Sequence, residues 1–294
     1  MAEGVQWTIP REYSLQDAGV GDGCDHTRRD IYLYSAMQVV VVPCLTNNYA
    51  YLVQGSGGNE WAAVDPVEPM VVLQAARENG GKTCRNVLTT HKHEDHAGGN
   101  AEFARNVPGC KVYGGEKEQV EGCTNAVRDG QEIDLSEVGV RVKCIETPFH
   151  TMGSISYLVT DQLTQEKAIF TGDTLFIGGC GKCFEGNVQN MWDTLIHKLS
   201  RLPPDTNVYC GHEITVKNLE FCVHADPHNH CAQEKLEWAK RMRSQGKPTV
   251  PSTIAEELSY NVFLRPLDSN LQMWTGKMYA METLAELRRR KDAF

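Results

Sequence analysis

The chain has 294 residues, 41 % of them hydrophobic, and carries 29 Lys and Arg against 38 Asp and Glu, a formal net charge of −9. That balance belongs to a folded protein of one large or two modest domains and excludes a disordered or fibrous chain. The acidic sign argues against a nucleic-acid binder, which needs a basic surface to displace counterions from phosphate. No apolar run approaches the ~18 residues that span a bilayer, so no membrane association is expected. Met1 is followed by no apolar core of a secretory signal. The eleven Cys, odd in number and without repeated spacing, read as reduced thiols of a cytoplasmic protein.

Residues 1–36 hold Glu3, Glu12, Asp17, Asp22, Asp25 and Asp30 against Arg11, Arg28 and Arg29, unlike an acid-poor mitochondrial presequence, and read as a loosely held extension. Strand-like runs follow at Gln38–Val42, Tyr49–Gln54 and Trp61–Asp65, separated by turn residues. Val71–Glu78 reads as a helix stopped by Gly80-Gly81, Asn86–Thr90 as a buried strand, and Ala101–Arg105 as a helix. The alternation repeats with strands at Val140–Glu146, Ile155–Thr160 and Ala168–Phe170, a helix over Met191–Leu202 closed by Pro203-Pro204, and a short strand Asn207–Cys210. From about Ile214 the pattern turns helical, most clearly at Glu234–Met242 and Met281–Arg290. Strands covered by helices and then a helical tail predict an α/β fold, with a layered domain over residues 37–213 and an α-helical domain over 214–294.

The densest chemistry is His91-Lys92-His93-Glu94-Asp95-His96, directly after the strand Asn86–Thr90. Side chains alternate along an extended chain, so His91 and His93 point to one side. Imidazole and carboxylate together suit zinc, iron or manganese. Four candidate ligands within six residues are too many for one site with an open position, and two adjacent ions fit better. Further candidates follow later strands: His150 after Thr147-Pro148-Phe149, Asp173 in Thr171-Gly172-Asp173, and His212 in Gly211-His212-Glu213. Each alone reads as a cap or turn residue, but strand ends are where loops converge on a shared site. His26, His197, His224, His228 and His230 read as surface residues.

The run Thr90–Asn100 resembles the signature of the metallo-β-lactamase superfamily, and Thr147–Gly153, Phe170–Phe176, Gly179–Gly186, Leu202–Thr215 and Glu257–Arg265 narrow the resemblance to glyoxalase II, the hydroxyacylglutathione hydrolases. It covers about Met37 to Phe294. The resemblance implies an αββα sandwich with a C-terminal helical domain. It also implies two divalent metal ions, zinc first with iron or manganese as alternatives. One would be held by His91, His93 and His150, the other by Asp95, His96 and His212, with Asp173 bridging. The implied catalytic residues are Asp95, which can orient the nucleophilic water, and Asp173. The implied reaction hydrolyses S-D-lactoylglutathione to glutathione and D-lactate, the second step of methylglyoxal detoxification. A thioester suits this residue set because a thiolate of pKa near 8.5 leaves without a general acid.

The substrate side carried over by resemblance is Lys182, Phe184, Ile214, Arg288 and Lys291. Arg288 and Lys291, three apart, would face the same way on a helix and grip a carboxylate. Phe184 and Ile214 stand where the family commonly has tyrosines, and Lys92 and Glu94 where it often has His and Trp. These departures bear on the thiol: Ile214 could pack against the alkyl chain of a glutathione–polyamine conjugate. Cys180 and Cys183 form a C-x-x-C that matches the family's substrate loop better than a redox pair. A mononuclear-iron persulfide dioxygenase of the same superfamily is the alternative from another reaction class, and the second ligand set counts against it. The expected partner is a small-molecule glutathione thioester, with no nucleic acid or membrane, and the expected state is a monomer.

Overall fold

A computed structural model of the protein describes residues 31–34 and 37–294. The first sheet has seven strands in chain order: β1 (Ile31–Tyr34), β2 (Met37–Cys44), β3 (Asn48–Gln54), β4 (Trp61–Val64), β5 (Cys84–Leu88), β6 (Lys111–Gly115) and β7 (Asn125–Val127). Helices α1 (Pro69–Glu78), α2 (Glu94–Ala97) and α3 (Asn100–Asn106) fall between its strands. The second sheet is built from β8 (Glu132–Leu135), β9 (Val140–Glu146), β10 (Ile155–Asp161), β11 (Lys167–Gly172), β14 (Asn207–Cys210) and β15 (Ser252–Thr253), in the order β15-β14-β11-β10-β9-β8. A small hairpin, β12 (Leu175–Phe176) with β13 (Gly179–Cys180), projects from the end of β11. Helix α4 (Val188–Trp192) precedes β14, and α5 (Thr215–Ala225), α6 (His230–Ser244), α7 (Ile254–Tyr260), α8 (Ser269–Thr275) and α9 (Ala280–Ala293) form the tail.

The layers follow from side-chain alternation in a strand buried on both faces. In β2, Val39 and Val41 belong to the core shared with the second sheet, through Val142, Tyr157 and Phe170. Val40 and Val42 face the other way, into a core with Val72, Leu73 and Ala76 of α1 and Phe103 of α3. The unbroken apolar run Val39–Val42 is therefore the mark of a central strand with a sheet on one side and helices on the other. The far side of the second sheet meets Leu195 and Leu199 after α4, and Leu219, Phe221 and Ile254 of the tail join the same core. Helix, sheet, sheet and helix layers result.

Several boundaries differ from the sequence expectation for local reasons. Ile31–Tyr34 pairs with Met37–Val40 as an edge strand, so the expected extension gives up that segment to the first sheet; residues 1–30, with His26, lie outside the described residues. The helix expected over Met191–Leu202 starts at Val188, because Asn187 and Asn190 cap each other's backbone N–H. It then widens into an i→i+5 turn over Asp193–Lys198 and tightens at Leu199–Arg201 before Pro203. Among the described residues no helix is long and apolar enough to cross a membrane.

Candidate metal centre and its rim

The two sheets bring their strand ends to one edge. Chain leaving β5 runs through Thr89 and Thr90, which hydrogen-bond to both sheets: Thr89 N–H donates to the Tyr113 carbonyl and Ile155 N–H to the Thr90 carbonyl, at 2.9 and 2.8 Å. The His91–His96 loop therefore starts from a point fixed in both layers. β11 and β14 run parallel, with Phe170 opposite Tyr209 and Gly172 opposite Cys210. Asp173 and His212 leave the sheet side by side for that reason, and Gly211 N–H donates to the Gly172 carbonyl at 2.9 Å. His150 closes the loop between β9 and β10.

All seven candidate ligands meet there. His91, His93 and His150 form one cluster, Asp95, His96 and His212 another, and His91, His96 and Asp173 lie between them. His93 Nδ1 is 3.0 Å from His91 Nε2 and 3.1 Å from His150 Nε2. His96 Nε2 and His212 Nε2 lie 3.3 Å apart and each is 3.3 Å from Asp173 Oδ1. Asp95 Oδ2 is 3.4 Å from His212 Nε2, and Asp173 Oδ2 is 3.4 Å from His150 Nε2. Asp173 thus turns one oxygen toward each cluster.

The outer nitrogens set which lone pairs face inward. Thr90 Oγ1 donates to Asp65 Oδ2 at 2.7 Å, so its oxygen is left to accept from His91 Nδ1–H at 3.1 Å. His96 Nδ1–H donates to Asp65 Oδ2, His150 Nδ1–H to the Lys182 carbonyl and His212 Nδ1–H to Asn47 Oδ1, at 2.9, 2.9 and 3.1 Å. In the singly protonated rings these outer bonds hold the proton outside, and the Nε2 lone pairs then face one another and two carboxylates. Asp173 Oδ1 is buried and makes no hydrogen bond. Ligand atoms about 2.0–2.1 Å from a tetrahedral zinc lie about 3.3–3.4 Å apart, close to the 3.0–3.4 Å seen here. The cluster is capable of binding metal.

Without a cation the cluster balances its own charge: against the burial that opposes it, Asp173 and Asp65 hold the His96 pKa well above the usual range, and Asp173 and Asp95 raise that of His212 to about 9, so a cation would displace a proton from each ring. Burial alone would raise Asp173, but His96 and His212 outweigh it and hold its carboxyl well below the usual range. The hydrogen bond with His212 does the same for Asp95. Burial, with His96 next to it, pushes the His91 pKa well down. At neutral pH the cluster offers two carboxylates and a neutral His91 to a cation.

On the rim, Phe184 is 62 % exposed with its ring centroid 5.1 Å from that of His150 and 6.0 Å from that of His93. The Lys182 side chain is exposed, and Ile214, half-buried just before α5, packs against the main core. Arg288 and Lys291 do not open together as a carboxylate grip. Arg288 is 8 % exposed, and its guanidinium donates to the Cys180 and Gly181 carbonyls and to Asp292 Oδ1. It ties α9 to the loop that carries Lys182. Lys291 Nζ donates to the Lys217 carbonyl at 2.7 Å and lies over the rings of Phe221 and Phe294. Asp65, Asn47 and Asn48 were not among the sequence candidates. Asn48 Nδ2 donates to Asp95 Oδ2 at 3.0 Å, and its antiparallel bridge with His212 joins the start of β3 to the chain just past β14.

An αββα layering with this cluster at its open edge defines a metallo-β-lactamase superfamily protein. Its superfamily profile matches residues 45–212, and a profile described as the hydroxyacylglutathione hydrolase C-terminus matches residues 213–294. The chain is 44 % identical over 256 residues to a cytoplasmic hydroxyacylglutathione hydrolase of Arabidopsis thaliana, covering 87 % of this chain and 98 % of that one. It is 38 % identical to the hydroxyacylglutathione hydrolase of Methylococcus capsulatus, over 88 % and 99 % of the two chains. The chain belongs to the hydroxyacylglutathione hydrolase family, glyoxalase II. Among solved structures, ETHE1 from Myxococcus xanthus matches with a TM-score of 0.58 and 26 % identity over 82 % of this chain and 85 % of that one. A metallo-beta-lactamase from Staphylococcus aureus shares the fold, with a TM-score of 0.60 and 20 % identity over 88 % and 72 %.

Proposed function

We propose that the protein is a cytoplasmic thioesterase that hydrolyses S-D-lactoylglutathione to glutathione and D-lactate, in methylglyoxal detoxification, with two divalent metal ions, zinc by preference. The observation that carries the reading is Asp173, which turns one carboxylate oxygen to each of two donor clusters. His91, His93 and His150 would hold one ion, Asp95, His96 and His212 the other, and Asp173 both. When bound, the ions supply a hydroxide nucleophile at neutral pH and offset the charge that develops on the attacked carbonyl oxygen. The chain supplies the rest. Asp95, anchored by Asn48, is placed to orient the water through its second oxygen, and Asp65, Asn47 and the Lys182 carbonyl hold the imidazoles in the tautomer that faces inward. No acid is required for the leaving thiolate.

On the thiol side, Lys182 and Lys291 are the cations for the glutathione carboxylates. Phe184 and Ile214 offer apolar surface, and Arg288 steadies the loop between Cys180 and Lys182. That apolar surface supports a second substrate reading, the same hydrolysis on a thiol conjugate bearing an alkyl chain such as a glutathione–polyamine.

Purified protein with its metal content determined on the same sample decides between the readings. Turnover of S-D-lactoylglutathione with close to two ions per chain is expected. In His93→Ala, activity should fall by more than the about 10–100-fold that loss of an outer partner costs. Faster turnover of the polyamine conjugate would change the substrate. One iron per chain with no thioester turnover would overturn the reading in favour of a dioxygenase.

A further inference from the structure

Lys92 stands between two of the candidate ligands, and alternation turns its side chain away from the cluster. It reaches across the rim. Its Nζ lies 2.6 Å from Glu185 Oε1, in the loop that carries Lys182 and Phe184, and the two side chains are 36 % and 34 % exposed. Glu185 Oε2 meanwhile accepts from Met152 N–H at 2.9 Å, in the loop that carries His150. The Lys92 backbone N–H donates to Glu118 Oε2 at 3.0 Å. Glu118 packs so closely on the His150 loop that a Cβ at Gly153 would lie 2.5 Å from its own Cβ.

The first half of the loop between Gly181 and Gly186 is held by the Gly181 carbonyl on Arg288 and the Lys182 carbonyl on His150 Nδ1–H. Gly181 N–H donates to the Thr174 carbonyl and Gly186 N–H to the Phe149 carbonyl, both at the loop's ends. Glu185 is the member whose side chain bonds the metal loop and the His150 loop at once. Phe184, the next residue back, has its ring beside His93 and His150. Where Glu185 is held therefore sets where its neighbour Phe184 stands over the cluster.

We propose that Lys92 and Glu185 are positioning residues: their ion pair is a clasp that fixes the substrate loop on the metal loop and so sets the affinity for the thiol part of the substrate. The kinetic part of this inference rests on the thioesterase reading above. The clasp touches neither the ligand atoms nor the position of a reacting carbonyl, so its loss acts on KM. A pair this exposed is screened by salt.

The test uses Lys92→Met, Glu185→Gln, the double variant, and the exchanged pair Lys92→Glu with Glu185→Lys, each with its metal content measured. Each single variant should raise KM about three-fold with kcat within about two-fold, the scale of an exposed pair. The double variant should match either single, the exchanged pair should recover part of the loss, and added salt should raise KM in the wild type more than in the variants. Without substrate, amide hydrogen exchange over residues 181–187 should quicken in both single variants. Additive effects in the double variant, or unchanged exchange in both singles, would overturn the clasp. Absence of thioester turnover in the wild type would instead sink the thioesterase reading, and the exchange measurement would still judge the clasp.

Discussion

Asp65 lies at the end of β4, outside every motif around the histidine loop, yet its carboxylate accepts from Thr90 N–H at 2.7 Å, from Thr90 Oγ1–H at 2.7 Å and from His96 Nδ1–H at 2.9 Å. The chain turns there at φ +45°, a left-handed conformation that Asp tolerates better than most residues. Asp65→Asn keeps the shape but leaves one acceptor oxygen for three donors. We expect the fold to survive, by circular dichroism, while metal affinity falls about 10–100-fold in chelator competition. Gly211 poses a steric version of the same question. A Cβ there would stand 2.5 Å from Asp173 Oδ1 and 2.7 Å from His96 Cε1. Gly211→Ala should purify with fewer metal ions per chain than the wild type; an unchanged count would show that Asp173 can shift freely. The seven candidate ligands were legible in the sequence because four crowd into one hexapeptide and three end apolar runs. Asp65 and Asn47 were not, since each acts through one outer nitrogen of a histidine far along the chain and leaves no local spacing.

At the scale of elements, apolar strands between turn signals were readable down to the four residues of β4 and β14, whereas β6, β7 and β8 were not. β6, β7 and β8 have five, three and four residues, too few for periodicity to separate them from turns. Their pairing is decided by neighbours: β6 lies parallel to β5, from Asn86 opposite Lys111 onward. The layered architecture was legible through resemblance, whereas the closeness of Asp173 to His212 depends on the parallel register of β11 and β14, to which no local pattern points. Helix α7 shows the same dependence on distant partners. Its Glu257 is fully buried and accepts from Gly178 N–H, Ser252 Oγ–H, Tyr260 Oη–H and Asn261 Nδ2–H. These donors belong to the β12–β13 hairpin, β15, α7 and the turn after it, so one carboxylate joins the tail to the loop beneath the site. Burial raises the pKa of Glu257, and the donors answer a group that could not stand there alone. Glu257→Ala would leave several buried donors unpaired and should lower unfolding stability by about 2–5 kcal/mol in urea titrations. A loss below about 1 kcal/mol would mean that water enters and replaces the carboxylate.

Over the whole molecule, an anionic thioester must approach a chain of net charge −9, so the few cations at the rim decide whether it is held. Lys291 lies on α9, which Arg288 ties to the Cys180 and Gly181 carbonyls of the rim loop. The sequence showed the two cations on one helix face but not that Arg288 is engaged by backbone carbonyls, since those lie more than a hundred residues away. Burial against Phe221 and Phe294 lowers the Lys291 pKa to about 8. A bound carboxylate prefers the protonated amine. On the proposal that Lys291 holds a glutathione carboxylate, its contribution is complete below that pKa and is lost as the pH rises through it. KM for the glutathione thioester should climb between about pH 7.5 and 9 by the roughly three- to ten-fold that a charge-assisted hydrogen bond is worth. In Lys291→Arg the charge persists across that range, so the climb should disappear, and in Lys291→Met KM should be high and flat. A wild-type KM that stays level to pH 9 would place the glutathione carboxylate away from α9 and leave Lys182 as its partner.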